Sequence, residues 1–234
     1  MQPAHFVRFE GEETENEVEK MLDTEILKWG VRERALAATF TRPVAEKEAT
    51  ASGKFEDARA QEIATLWGQG CFRRVKRASV PSRDLCRGRY ADATKESGGK
   101  VLKYKSRLVA KGYSMVQGEH YGQRTFPTPC TMTILGFFLL VTFYDLVLGK
   151  FDVGTAYIEA EVEEEGMRPT YLVPPFGFEE EGYVWEMVRA LYGRPDAGRK
   201  WWMKVLVPFM VAQGFEQHQA FPTLFLLPVA QGAK

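Results

Sequence analysis

The chain has 234 residues, 45% of them hydrophobic and 26% charged, with a formal net charge of zero. That length can bury one substantial core or two small ones, and the composition excludes a fibrous chain or one disordered throughout. The zero is an average, since thirteen Lys or Arg stand between Cys71 and Lys111 against only Asp84, Asp92 and Glu96, while acidic runs at Glu10 to Glu25 and Glu159 to Glu165 read as solvated faces.

The first ten residues carry neither a basic start nor an apolar run, so a secretory leader is not expected. From Glu12 to Trp29, Val18, Met21, Leu22, Ile26 and Trp29 recur near one helical face and predict an amphipathic helix. Thr39 to Lys54 mixes Pro43, Ser52 and Gly53 with charges and no periodicity, which reads as a linker. A second helix is predicted from about Phe55 to Gln69, aligning Phe55, Arg59, Ile63 and Leu66, with Gly68 and Gly70 to stop it.

Short β-prone pieces follow at Phe72 to Val75, Arg87 to Thr94 and Lys100 to Ala110. Gly98-Gly99 between the last two is a hairpin signal, because both residues accept positive φ at little cost. On the second strand, alternation puts Lys103, Lys105 and Arg107 on one face and Leu108 and Ala110 on the other. Such a cationic face suits phosphates, with Arg107 favoured for bidentate contact; a solvated edge strand guarded by lysines is an equally good reading.

Ile134 to Leu148 is the most apolar segment, too short to span a bilayer and carrying Asp145, so it reads as a buried helix. A strand ending at Asp152 comes next, then a strand at Tyr171 to Val173 before Pro174-Pro175, and a helix from about Ala197 through Ala212 that Gly214 closes. Cys71, Cys86 and Cys130 are widely spaced, with no Cys-x-x-Cys pair and no nearby His. This argues against a disulfide framework and a zinc site and fits a reducing, intracellular compartment, cytoplasmic or nuclear. His5, His120 and His218 are isolated and read as surface or structural residues.

The stretch Phe151-Asp152-Val153-Gly154-Thr155-Ala156-Tyr157-Ile158 is the most informative one, with a carboxylate after an apolar approach and an aromatic ring five positions on. That layout suits a metal ion held beside a nucleotide, although two-metal phosphoryl transfer needs further carboxylates and no adjacent acidic pair follows downstream. An ordinary turn carboxylate and an ordinary core aromatic are the rival readings for Asp152 and Tyr157.

Lys103-Tyr104-Lys105-Ser106-Arg107-Leu108-Val109-Ala110-Lys111-Gly112 resembles the Tyr-Lys-Ala-Arg-Leu-Val-Ala-Lys-Gly signature of Ty1/copia-type retrotransposon reverse transcriptases, with Ser106 in place of Ala. Further blocks agree in order: Gln117-Gly118, Tyr121 and Thr125-Phe126; Phe151-Asp152-Val153 with Ala156; Pro174-Pro175 with Gly177-Phe178; Leu191-Tyr192-Gly193 with Trp201; and Gly214-Phe215. The resemblance runs from about Phe55 to Leu227.

It implies an α+β, right-hand polymerase fold with fingers bearing a basic β-hairpin and an incomplete palm, over residues 54-234, behind an arm of residues 1-53. It implies Asp152 as a catalytic carboxylate and metal ligand with Mg2+ as the cofactor, and Tyr157 as the ring packed under the sugar. Arg107 and Lys95 fall near the incoming triphosphate, Tyr192 and Gly193 beside the nucleotide and template, and Lys103, Lys105 and Lys111 along the nucleic acid. Its partners are then an RNA or DNA template-primer, a deoxynucleoside triphosphate and the rest of a polymerase with ribonuclease H, with no membrane.

Three departures qualify this. The family's Gly-Leu-Lys-Gln-Ala-Pro-Arg segment reads Gly193-Arg194-Pro195-Asp196-Ala197-Gly198-Arg199, and the Asp of its Gly-x-Asp-Tyr block is His120. After Phe225 the family continues to a Tyr-x-Asp-Asp hairpin with the other catalytic carboxylates, which does not occur before Lys234. The expectation is therefore a truncated reverse transcriptase, inactive alone, or a nucleic-acid-binding remnant of a retrotransposon polyprotein. Asp145, in a predicted helix, and Asp196, in a loop, are expected to be solvated or capping residues rather than substitutes.

Overall fold

The structure is a computed structural model that describes residues 40–149 and 152–228. The predicted helix at Glu12 to Trp29 lies outside the described residues. The chain divides into two units, one containing Phe40–Pro43 and Ala93–Lys105, the other Val44–Asp92 and the chain from Ser106 onward.

In the smaller unit, strand β1 (Phe40–Val44) pairs with the far part of β3 (Leu85–Ser97), which turns into β4 (Lys100–Ala110). Gly98 and Gly99 take φ of 55° and 73°, the left-handed conformation the hairpin signal requires. Arg42 Nε donates to Glu96 Oε1 at 3.0 Å, and Thr94 Oγ1 donates to the same carboxylate.

In the larger unit β3 is followed across the sheet by a strand at Tyr171–Val173, then one at Tyr183–Met187, then one at Phe72–Lys76, with β4 also on β3. Strand β5 (Tyr171–Val173) lies parallel to β3, Leu85 opposite Tyr171, and antiparallel to β6 (Tyr183–Met187), which pairs in turn with β2 (Phe72–Lys76), Arg74 opposite Trp185. Along β4, Ser106, Leu108 and Ala110 are buried while Lys103, Lys105 and Arg107 are exposed, so the predicted alternation holds.

Helix α2 (Glu56–Gly68) covers this sheet with Arg59, Ile63 and Leu66 buried at helical spacing. Glu56 and Asp57 complement the dipole in its first turn. Arg59 is buried because Asp92 meets it at 2.6 Å and its guanidinium lies 4.5 Å from the Tyr90 ring centre. The core gathers Ile63, Leu66, Phe72, Leu108, Leu172, Trp185 and Leu191, with Trp67 edge-on to Trp185 at 5.3 Å. Burial holds the Cys71 thiol up at about 12 and raises that of Cys86, which keeps both protonated and inert.

Four expectations change. The linker at Thr39 to Lys54 contains β1 and a short helix, α1 (Glu46–Ser52), which Gly53 ends at φ 67°. Strand β6 escaped the sequence reading because Gly182 and the acidic run before it resemble loop. The predicted strand ending at Asp152 is absent from the described residues around it, which are irregular up to a turn at Gly154-Thr155. No described strand pairs with that segment, and an extended run without a partner has nothing to hold it.

The largest difference is the apolar helix. It forms as α3 (Thr131–Phe143), and Asp145 lies past its end at φ 51°, but none of its residues is buried. Leu139 is 70% exposed and Phe143 80%. The helix is apolar on every side, so packing one flank leaves the others in solvent. That one flank borders a cavity of about 450 Å³ shared with Trp202, Leu206, Met210 and Phe225. No described helix is long and apolar enough to cross a membrane.

The last predicted helix runs as α4 (Ala197–Trp201), a π-helical turn (Trp202–Leu206) and α5 (Val207–Ala212). Pro208, at the start of α5, has no N–H to donate one turn back, and the wider turn before it absorbs the missing bond. A two-stranded ladder follows, β7 (Glu216–Gln217) with β8 (Phe225–Leu226).

Candidate nucleotide-binding site

Three stretches far apart in sequence meet in the larger unit. Strand β4 presents Arg107, a 3₁₀ turn over Ala156–Glu159 presents Tyr157, and the loop after Leu191 presents Tyr192. The Arg107 guanidinium lies 5.1 Å from the Tyr192 ring centre, and the Tyr192 and Tyr157 rings are 5.1 Å apart at 53°. A cation over one ring and a second ring against it form a partly exposed platform.

Backbone geometry explains how each is held. Ala110 N–H donates to the Tyr192 carbonyl at 2.7 Å, tying the loop to the end of β4. Gly193 sits at φ 85°, and a Cβ there would overlap the Ala110 carbonyl; a Cβ on Gly112 would overlap the Gly193 carbonyl. Both glycines are needed for this crossing. The Tyr157 turn is anchored by buried Ile158, by Ala190 N–H donating to the Ala160 carbonyl at 2.8 Å, and by Val162 N–H donating to the Val188 carbonyl at 2.9 Å.

Glu62 of α2 enters beside Arg107, accepting from Leu108 N–H at 3.1 Å. Burial pushes its carboxyl up from the ordinary range, against the opposing pull of the Leu108 N–H and the Arg107 charge. Its place was not legible in the sequence, since Glu62 and Arg107 are forty-five positions apart and share no motif.

Of the residues proposed from sequence, Arg107, Tyr157, Tyr192 and Gly193 converge, and Lys111, half-buried, follows the same strand. Lys103 and Lys105 are exposed and Lys95 is half-buried on the hairpin of the smaller unit. Asp152 is exposed and irregular. Among the described residues no three His, Cys, Asp or Glu side chains converge to hold a metal ion, and one carboxylate does not satisfy a two-metal centre. The residues described do not by themselves complete a site for the Mg2+ ion that the resemblance implies.

Two polar clusters also form in the larger unit. Asp84 accepts from Arg168 through both oxygens, at 2.9 and 2.7 Å, and meets His120 Nε2 at 3.2 Å. His120 Nδ1 accepts from Val116 N–H at 2.9 Å, so this histidine is structural, as expected. Hydrogen bonds from Arg168 hold the Asp84 carboxyl below its usual range. In the second cluster Arg194 and Asp196 are each about 1% exposed in their side chains and pair at 2.8 Å. Asp196 is therefore neither solvated nor a side-chain cap, since no cap hydrogen bond forms at the start of α4. The sequence hides this because a loop Asp near a helix start has the pattern of a cap.

A family described as reverse transcriptase (RNA-dependent DNA polymerase) matches residues 82–232. A retrovirus-related Pol polyprotein from transposon TNT 1-94 of Nicotiana tabacum is 31% identical over 134 residues, covering 56% of this chain and 10% of that protein. Those from transposons RE2 and RE1 of Arabidopsis thaliana are each 28% identical over 134 residues, 56% of this chain and 9% of each protein. This chain thus spans about a tenth of the length of the curated relatives it matches. No solved structure matches. The chain belongs to the reverse transcriptase family, within the group of copia-type transposon polyproteins.

Proposed function

We propose that this chain is the nucleotide- and template-binding part of an RNA-directed DNA polymerase. The observation that carries this reading is the convergence of Arg107, Tyr157 and Tyr192 on one partly exposed platform. Arg107 would leave the Tyr192 ring for a triphosphate, whose oxygens match its planar fork, while the rings offer apolar surface to a sugar and base. Lys103 and Lys105 of the smaller unit, and separately Lys111 of the larger, would contact phosphates of nucleic acid. Residues 54-234 would then be fingers and part of a palm of the right-hand fold, and residues 1-53 an arm before them.

Asp152 remains the family-matched catalytic carboxylate, and the family generally works with divalent metal ions. No step is assigned through such an ion, because the described residues supply no site for it. The same observation favours a second reading, binding without catalysis. Both predict that a short RNA–DNA duplex binds the chain with an affinity that falls steeply as salt rises. No salt-sensitive binding at low ionic strength would remove both. Primer extension by this chain is expected to fail under both, and Mg2+-dependent extension that Asp152→Asn abolishes would show instead that the chain catalyses by itself.

A further inference from the structure

The loop carrying Tyr192 holds two charged residues, Arg194 and Asp196, that meet in the interior. Arg194 Nε donates to Asp196 Oδ1 at 2.8 Å and Nη2 to Oδ2 at 3.1 Å, a bidentate pair. The same guanidinium donates from Nη2 to the His120 carbonyl at 3.0 Å and from Nη1 to Thr170 Oγ1 at 3.3 Å. Lys200, one turn into α4, brings its ammonium to 3.6 Å from Asp196 Oδ2 and donates to Glu164 Oε2 at 2.7 Å. Thr170 directly precedes β5, so the guanidinium ties the loop to the core sheet.

A buried arginine and carboxylate offer little net stability over an apolar pair of the same volume, because removing both charges from water offsets their attraction. What such a pair does supply is a fixed geometry, through directional bonds that only one loop conformation satisfies. Here the pair starts one residue after Gly193, and Gly193 permits the close backbone crossing that fastens Tyr192 to Ala110. The loop is thereby held from both sides, by β4 before Gly193 and by the ion pair after it.

We propose that Arg194 and Asp196 are positioning residues whose buried ion pair holds the Tyr192 ring against Arg107 and Tyr157, and so sets the affinity of the platform for a nucleoside triphosphate. The affinity clause rests on the nucleotide-binding reading above; the positioning of the ring does not.

The test uses the whole chain with 3-fluorotyrosine incorporated, the Tyr192 fluorine resonance being assigned through Tyr192→Phe. Removing Asp196 alone strands a buried guanidinium and endangers the fold, so the probing variant is Arg194→Met/Asp196→Leu, which removes both charges together. The expected result is a cooperative melt near that of the parent with a shifted or broadened Tyr192 resonance. An unchanged Tyr192 resonance overturns the proposal.

The second arm titrates dTTP with Mg2+ present. The pair variant and Tyr192→Ala are each expected to weaken binding about tenfold, and their combination no more than Tyr192→Ala alone. Additive losses would show that the pair acts elsewhere and overturn the affinity clause. If the parent does not bind dTTP, the nucleotide reading and the affinity clause fall together, while the fluorine spectrum still decides whether the pair positions the ring.

Discussion

The loop around Arg194 and the helix α3 reverse what composition suggests. Arg194, Asp196 and Lys200 are charged and buried, whereas α3 is among the most apolar segments of the chain and has no buried residue. The charged loop is enclosed because every charge finds an opposite one within a few ångströms, and its guanidinium also finds a carbonyl. The helix offers apolar surface on all sides, and among the described residues one flank borders the cavity shared with Trp202, Leu206, Met210 and Phe225. Burial thus follows the partners a segment finds, rather than its hydropathy.

The sharpest way to break this contrast is Asp196→Ala. It leaves Arg194 buried without a carboxylate and should lower unfolding stability by about 3–5 kcal/mol in urea titration. A change under about 1 kcal/mol would mean that water reaches the guanidinium. Gly193→Ala should follow at about 2 kcal/mol or more, from left-handed strain and overlap with the Ala110 carbonyl.

Acid probes the other polar cluster. Asp84 is held below its ordinary value of 3.8 in the folded chain. Between the two values the unfolded chain binds the extra proton, so this contribution to stability is complete above 3.8 and is lost as pH falls below it. Asp84→Asn should flatten that part of the stability–pH curve, and an unaltered slope would show that other carboxylates govern acid unfolding.

The smallest effects belong to the exposed helix and to one signature position. Leu139→Gln should change stability by no more than about 0.5 kcal/mol while reducing self-association in light scattering. The buried Ser106 hydroxyl has no hydrogen-bond partner among the described residues, so Ser106→Ala, which restores the residue of the family signature, should be neutral or stabilising by up to about 1 kcal/mol. A loss of stability there would reveal a hidden partner for the hydroxyl.

Local pattern made much of this chain legible. Gly98-Gly99 marked the hairpin, alternation placed Leu108 inward and Arg107 outward, and the spacing of Arg59, Ile63 and Leu66 marked α2. The ordered family blocks identified the reverse transcriptase relationship. What pattern missed shares one cause: β1 and β6 are strands through their partners in the sheet, and the segment at Asp152 is irregular for want of one.

By itself, then, the sequence determined the family, the hairpin and the inward faces of α2 and β4, because these depend on neighbours a few residues apart. Only the tertiary structure decided that Arg107, Tyr157 and Tyr192 share a platform, that Asp196 is a buried partner of Arg194, and that α3 stays exposed. Each of these depends on which distant segments come within a few ångströms, and burial, pairing and desolvation are properties of that arrangement rather than of any stretch of chain.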